Sequence, residues 1–240
     1  MKSYFLYAIL LLILVSCISD PEKPQLDYNS YGVEDFPSVE ANIVFVKGEG
    51  AQFEKINKVI VDSTLAYLMQ EEPVDSIQEA LEKFVKNYQS FKKDFPESDQ
   101  VWELSVETEV VFQTETVITY SINTYSYTGG AHGNDHITLL NFNASNGDLI
   151  GISDLIRKPR EFKAIARQKF IESQKATNES FRMEDYFFGE DFELPENMGY
   201  SEDGFVLLYN VYEIASYAQG YTEFAIPFED LDGILKFSPY

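Results

Sequence analysis

The sequence has one cysteine, one tryptophan, two histidines, and only 18 lysines and arginines against 40 aspartates and glutamates. Each shortage excludes something. A lone cysteine allows no disulfide within the chain, and its place near the start leaves no thiolate chemistry for the rest. A formal net charge of −22 repels nucleic acid and anionic lipid, and it raises the on-rate of a cationic partner at low salt. Solubility alone would also account for such a charge. No apolar run is long enough to span a membrane comfortably. The sequence contains no Gly-x-Ser-x-Gly elbow, no phosphate-cradling glycine loop, no acidic triplet with calcium-loop spacing and no Asp-Asp dipeptide. What it does hold is 45% hydrophobic residues, with 16 Tyr and 19 Phe. That is enough for one substantial domain, or two small ones sharing a core.

The first residues belong to targeting rather than to the fold. Met1-Lys2 is a short positive start, Tyr4 to Leu14 is apolar, and Leu14-Val15-Ser16-Cys17 resembles a bacterial lipobox. Residues 1–16 then form a lipoprotein signal peptide, and cleavage before Cys17 exposes it for lipidation. An uncleaved anchor or an ordinary signal peptide is the alternative. Ile18, rather than Asp, after Cys17 points to the outer membrane and not the inner one. Residues 17–40, with Pro21, Pro24 and Pro37 and little periodicity, read as a tether. The expectation is a protein of the cell envelope or periplasm, held to a membrane by lipid on Cys17 and needing no cofactor.

Beyond the tether the pattern is α+β. Phe53, Ile56, Ile60 and Tyr67 fall at near-helical spacing within residues 51–70. Ile77, Leu81, Phe84, Tyr88, Phe91 and Phe95 do so more strongly, with Asp75 as the expected cap and Pro96 as the stop. From Val101 the period becomes two, and about four strands joined by short connections predict an antiparallel meander as far as residue 152. A basic helix over residues 160–175 precedes an acidic, Phe-rich segment and is expected to face it. Strands follow at FVLLYNVYEI and TEFAIPF, then a short helix near Glu229. The order predicts amphipathic helices on a meander sheet, without βαβ alternation, and a C-terminal helix-plus-strands region completing the same core.

Both histidines lie in YSYTGGAHGNDH, residues 125–136. His132 and His136 are four apart, a spacing that shares a face on a helix or a regular strand. Gly129, Gly130 and Gly133 oppose a helix, and Gly133-Asn134-Asp135 reads as turn, so the glycines are assigned a turn-shaping role. The HxxxH spacing also resembles the metal pair of polysaccharide deacetylases, but those need paired aspartates that this chain lacks. A metal site would have to recruit Asp135 or a distant carboxylate. His132, His136, Tyr125, Tyr127, Asn134 and Tyr217 are the ligand-binding candidates, none of them assigned a catalytic role.

YTGGAHGN followed by a strand, an Asn-Gly turn and ISDLI resembles the PdaC/RsiV-like superfamily, and so does DGFVLLYNVYEIASYAQGYTEFAIPFEDL at residues 203–231. The resemblance divides the chain into a PdaC-like region, 41–156, and an RsiV-like C-terminal region, 157–240. It implies a cell-envelope recognition module. One member is the ectodomain of an anti-sigma factor that binds the cationic enzyme lysozyme; another accompanies a deacetylase whose catalytic domain is a separate module. Three functions remain open: a module binding a glycan or a cationic wall-active protein such as lysozyme, a metal-dependent peptidoglycan or polysaccharide deacetylase using His132 and His136, and a structural envelope lipoprotein.

Overall fold

A computed structural model describes residues 24–68, 73–237 and 239. The expected signal peptide and Cys17 lie outside them. Two strands open the described chain, β1 (Gln25–Val33) and β2 (Phe36–Lys47), joined antiparallel. This corrects the expectation of a tether reaching residue 40. The alternating burial of β1 is that of a pleated edge strand. Pro37 is tolerated because the β1–β2 register breaks there: Val33 pairs with Phe36 and Gly32 with Glu40, so Pro37 owes no hydrogen bond to β1.

Helices α1 (Ala51–Leu68) and α2 (Ile77–Asp94) follow. Their buried residues, Ile56, Ile60 and Thr64 with Leu65 on α1 and Ile77, Leu81 and Val85 on α2, recur at four-residue intervals and make one buried stripe per helix. The cap of α2 is Ser76, one residue later than expected: its side chain accepts from Glu79 N, while the Glu79 carboxylate accepts from Asp75 N. Asp75 supplies only a backbone donor to this reciprocal arrangement.

The meander comprises β3 (Glu103–Gln113), β4 (Val117–Tyr127), β5 (Asn134–Asn143) and the two-residue β6 (Leu149–Ile150), in the sheet order β1-β2-β3-β4-β5-β6. One pairing departs from the expected pattern: β2 and β3 are parallel, from Val39↔Leu104 to Asn42↔Glu107. The helix pair is therefore the crossover of a β–α–α–β unit, the kind of connection a parallel pair requires. It covers one face of the sheet. There Ile43, Ile56, Ile60, Leu81, Val106, Ile118 and Ile122 share a buried cluster.

The opposite face of β4 and β5 receives the rest of the chain. Short α3 (Ile152–Leu155) leads to α4 (Pro159–Thr177), whose Pro at the first turn suits a helix start. As expected, the basic helix meets the acidic segment, Lys163 pairing with Glu193 at 2.7 Å; Lys169 instead pairs beyond that segment, with Asp230 at 2.9 Å. A three-stranded antiparallel sheet, β7 (Asn197–Ser201), β8 (Gly204–Tyr209) and β9 (Thr222–Ile226), packs with α4 around Phe162, Phe170, Phe205 and Phe224. The two sheets are joined by side-chain amides. Asn141 donates to Met198 O at 2.8 Å, Asn197 accepts from Leu139 N at 3.0 Å, and Asn210 both accepts from Ile137 N at 2.8 Å and donates to Ile137 O at 2.9 Å. Among the described residues no helix is long and apolar enough to cross a membrane.

Candidate ligand-binding seam

The turn between β4 and β5 is built by residues 128–133. Gly129 and Gly130 both adopt φ +107°, a backbone region that L side chains rarely enter. Gly133 serves differently. It is buried against Tyr125, and a Cβ there would stand 2.2 Å from that ring. The Tyr127 hydroxyl donates to Gly130 O at 3.2 Å and ties the turn to the end of its own strand. Asn134 and Asp135 are not part of the turn: they pair with Ser126 and Tyr125 as the first residues of β5.

Strand alternation then separates the candidates. Tyr125 stands opposite Asp135 and Ser105, and Tyr127 opposite Glu103, on the sheet face turned away from α1 and α2. Asn134 and His136 project to the helix side, in phase with Phe142 of the aliphatic core. There His136 stacks on Tyr67 of α1 at 5.6 Å between ring centroids, and the Asn134 amide donates to the Tyr67 hydroxyl at 3.1 Å.

His132 belongs to another cluster. Its ring lies on Tyr217, with centroids 3.6 Å apart and planes 15° from parallel. Nδ1 is 2.7 Å from Gly133 O, and because a carbonyl only accepts, Nδ1 carries the proton. In the neutral ring Nε2 is then an acceptor, filled by the Tyr212 hydroxyl at 3.2 Å. Both ring nitrogens thus have protein partners. The two histidines stack on different tyrosines from different elements. Among the described residues no group of three or more His, Cys, Asp or Glu is placed to hold a metal ion. The deacetylase-like reading of the HxxxH pair has no converging donor set behind it.

Tyr212 and Tyr221 join the site without having been singled out in the sequence. Tyr212 is 55% exposed and sits at φ +67°, a strained conformation for a tyrosine. Glu213 holds it there, its carboxylate accepting from Asn210 N at 2.8 Å and from Glu196 N at 3.0 Å. The Tyr-Glu-Ile motif contained this information, but nothing in a linear pattern shows that a ring at residue 212 reaches one at 132. Tyr221 is near Asp135, and desolvation first, then that carboxylate, push its hydroxyl up to about 12. Partial burial, followed by the Glu103 and Asp135 carboxylates, likewise holds the Tyr125 proton above the ordinary tyrosine range. The result is a seam between the two sheets lined by neutral phenols, stacked rings and carboxylates. Such a set attracts a cation twice, through charge and through ring faces.

Residues 35–135 match a family model described as deacetylase PdaC, and residues 146–229 match one described as a protein of unknown function, DUF3298. A solved DUF3298-family structure from Bacteroides fragilis is 21% identical, with TM-score 0.65, covering 89% of this chain and 92% of its own. Another from Pseudomonas aeruginosa is 16% identical, with TM-score 0.60, covering 90% and 95% respectively. At these identities the likeness is one of fold. No curated protein matches the chain. The seam lies where the two matched regions meet, with His132 and Asp135 from one, and Tyr212, Tyr217 and Tyr221 from the other.

Proposed function

The chain has the PdaC/RsiV-like architecture, a PdaC-type region followed by a DUF3298 region, and from that premise we propose that it is a lipid-anchored cell-envelope recognition module for a cationic wall-active protein. In this reading Cys17 carries the lipid, the outer membrane is the site of attachment, and the seam contacts the partner. The observation that carries it is the joining of Tyr125, Tyr212, Tyr217 and Tyr221 with Glu103 and Asp135 in a chain of net charge −22. Arginine and lysine heads are recognised by such ring-and-carboxylate sets, and the acidic field steers their approach.

The test is a titration of the full chain with a basic lysozyme at low and moderate salt. Saturable binding that weakens with salt is expected, and Asp135→Asn combined with Tyr212→Ala should weaken it about tenfold, roughly 1.4 kcal/mol. Absence of saturable binding at either salt sinks the lysozyme form of the proposal. Saturable binding of cell-wall oligosaccharide instead, lost in the same variant, would transfer the seam to a glycan ligand. Metabolic labelling with a fatty-acid probe, with and without Cys17→Ala, tests the anchor separately: an unlabelled native protein ends that part.

A further inference from the structure

The sheet face that carries Tyr125 continues, away from the seam, into a second feature. The β2–β3 ladder stops at Asn42↔Glu107, and the strands then part: Val44 N is taken not by a strand carbonyl but by the Thr108 hydroxyl at 2.7 Å. The parting opens a cavity of about 450 Å³ on the face turned away from the helices. Among its lining are Leu26, Tyr28, Asn42, Asn123, Glu107 and Glu109. Tyr28 is 74% exposed and Leu26 is 37% exposed, so an apolar lip stands beside the opening. Glu107 and Glu109 project to one face of β3, as residues two apart on a strand must, and neither makes an ion pair among the described residues.

We infer that this slot takes one lysine or arginine side chain of a protein partner. The aliphatic stem lies along Tyr28 and Leu26, and the charged head reaches the Glu107 and Glu109 carboxylates. The chemistry of the slot selects that occupant. Two exposed carboxylates without counter-ions bordering a concavity repel anions and leave a neutral ligand's donors incompletely matched, whereas a flexible cation with an apolar stem fits both the apolar lip and the carboxylates. The inference deepens the proposed recognition of a cationic partner and rests on it for biological meaning. Asn123 of the slot is two residues from Tyr125 of the seam, on the same face of β4, so one protein surface spans both.

The slot is tested apart from the seam. The ¹⁵N-labelled full chain is titrated with N-acetyl-lysine amide, and the side-chain amide signals of Asn42 and Asn123 are followed. Saturable shifts of both are expected, with at least a fivefold loss of affinity in Glu107→Gln/Glu109→Gln and no loss in Asp135→Asn. Absence of saturable shifts overturns the slot, as does an equal response to glucosamine, which would assign it to a sugar amine. In the lysozyme titration, Glu107→Gln/Glu109→Gln should weaken binding while circular dichroism stays native. Lysozyme binding that is unaltered in that variant overturns the slot and leaves the seam proposal standing; failure of native protein to bind lysozyme, with the lysine probe still shifting both amides, does the reverse.

Discussion

The two regions of the molecule bury different side chains, and the difference follows the regularity of the backbone they hold. Beneath α1 and α2 the core is mainly aliphatic, with Tyr120 and Phe142 as its only fully buried rings among the described residues. Around α4 it is aromatic, and Phe170 alone meets the rings of Phe181, Tyr186, Phe187, Phe192, Tyr209 and Phe224 at 5.3–6.1 Å. Long strands offer a periodic surface on which β-branched residues pack efficiently. The C-terminal region has short strands and single 3-10 turns, including Phe187 and Phe188 at φ +56° and +53°. There a few large rings fill volume that irregular backbone cannot fill by repetition, and edge-to-face contacts fix their positions.

Truncating the ring at the centre of the aromatic core is the most severe way to test this contrast. Phe170→Ala should cost about 3–5 kcal/mol, with loss of near-ultraviolet dichroism before the α1–α2 region melts. A single merged transition would show that the two cores unfold as one. Next comes the joint between the sheets. Asn210→Ala strands both backbone groups of Ile137, and a loss of about 2 kcal/mol is expected, with faster hydrogen exchange at Ile137 than at strand-paired positions of β4.

Tyrosine hydroxyls sharpen the comparison further. The Tyr209 hydroxyl donates to Glu193 O at 2.6 Å in the aromatic core, whereas that of Tyr120 in the aliphatic core is buried with no partner. Tyr209→Phe should therefore destabilise by about 1 kcal/mol and Tyr120→Phe should stabilise by a similar amount, both read from chemical denaturation. Burial holds the protons of Tyr120, Tyr200 and Tyr209 above the ordinary tyrosine value of 10.0. The folded state thus keeps them more tightly than the unfolded chain. Their contribution is fully present below pH about 10 and is lost as pH rises beyond it. Denaturation midpoints should fall on that alkaline limb, and less steeply in Tyr120→Phe. The smallest effect on stability is expected from Tyr212→Phe, which removes one exposed hydrogen bond across the seam and should cost under about 0.5 kcal/mol.

The contrast between regions also governed what the sequence made legible. Periodicity exposed α1, α2, α4 and the β3–β6 meander because their apolar residues repeat, as in Ile77, Leu81 and Val85. It did not expose β1, where polar residues alternate on an open edge, or β2, whose start at Phe36 and Pro37 sits in a register break. The parallel β2–β3 pairing was hidden because strand direction depends on where two helices return the chain, which no local pattern records. In the site, the TGGAHG turn was visible from its glycines. The partners of His132 were not: Tyr212 and Tyr217 are 80 and 85 residues further along the chain. Asn197 fell within the acidic segment and Asn210 inside the expected FVLLYNVYEI strand, and only the packing of the two sheets shows them meeting β5.

Those two asparagines have a consequence for how the molecule lives at high local concentration. Beyond the brief pairing with β6, the outer side of β5 would be a bare strand edge, free to zip onto a neighbouring copy. By taking Ile137 N, Ile137 O and Leu139 N, two side-chain amides finish the sheet at that margin without adding a strand. Crowded copies would then not pair through this edge into fibres, and the C-terminal region acts as the stopper of the larger sheet.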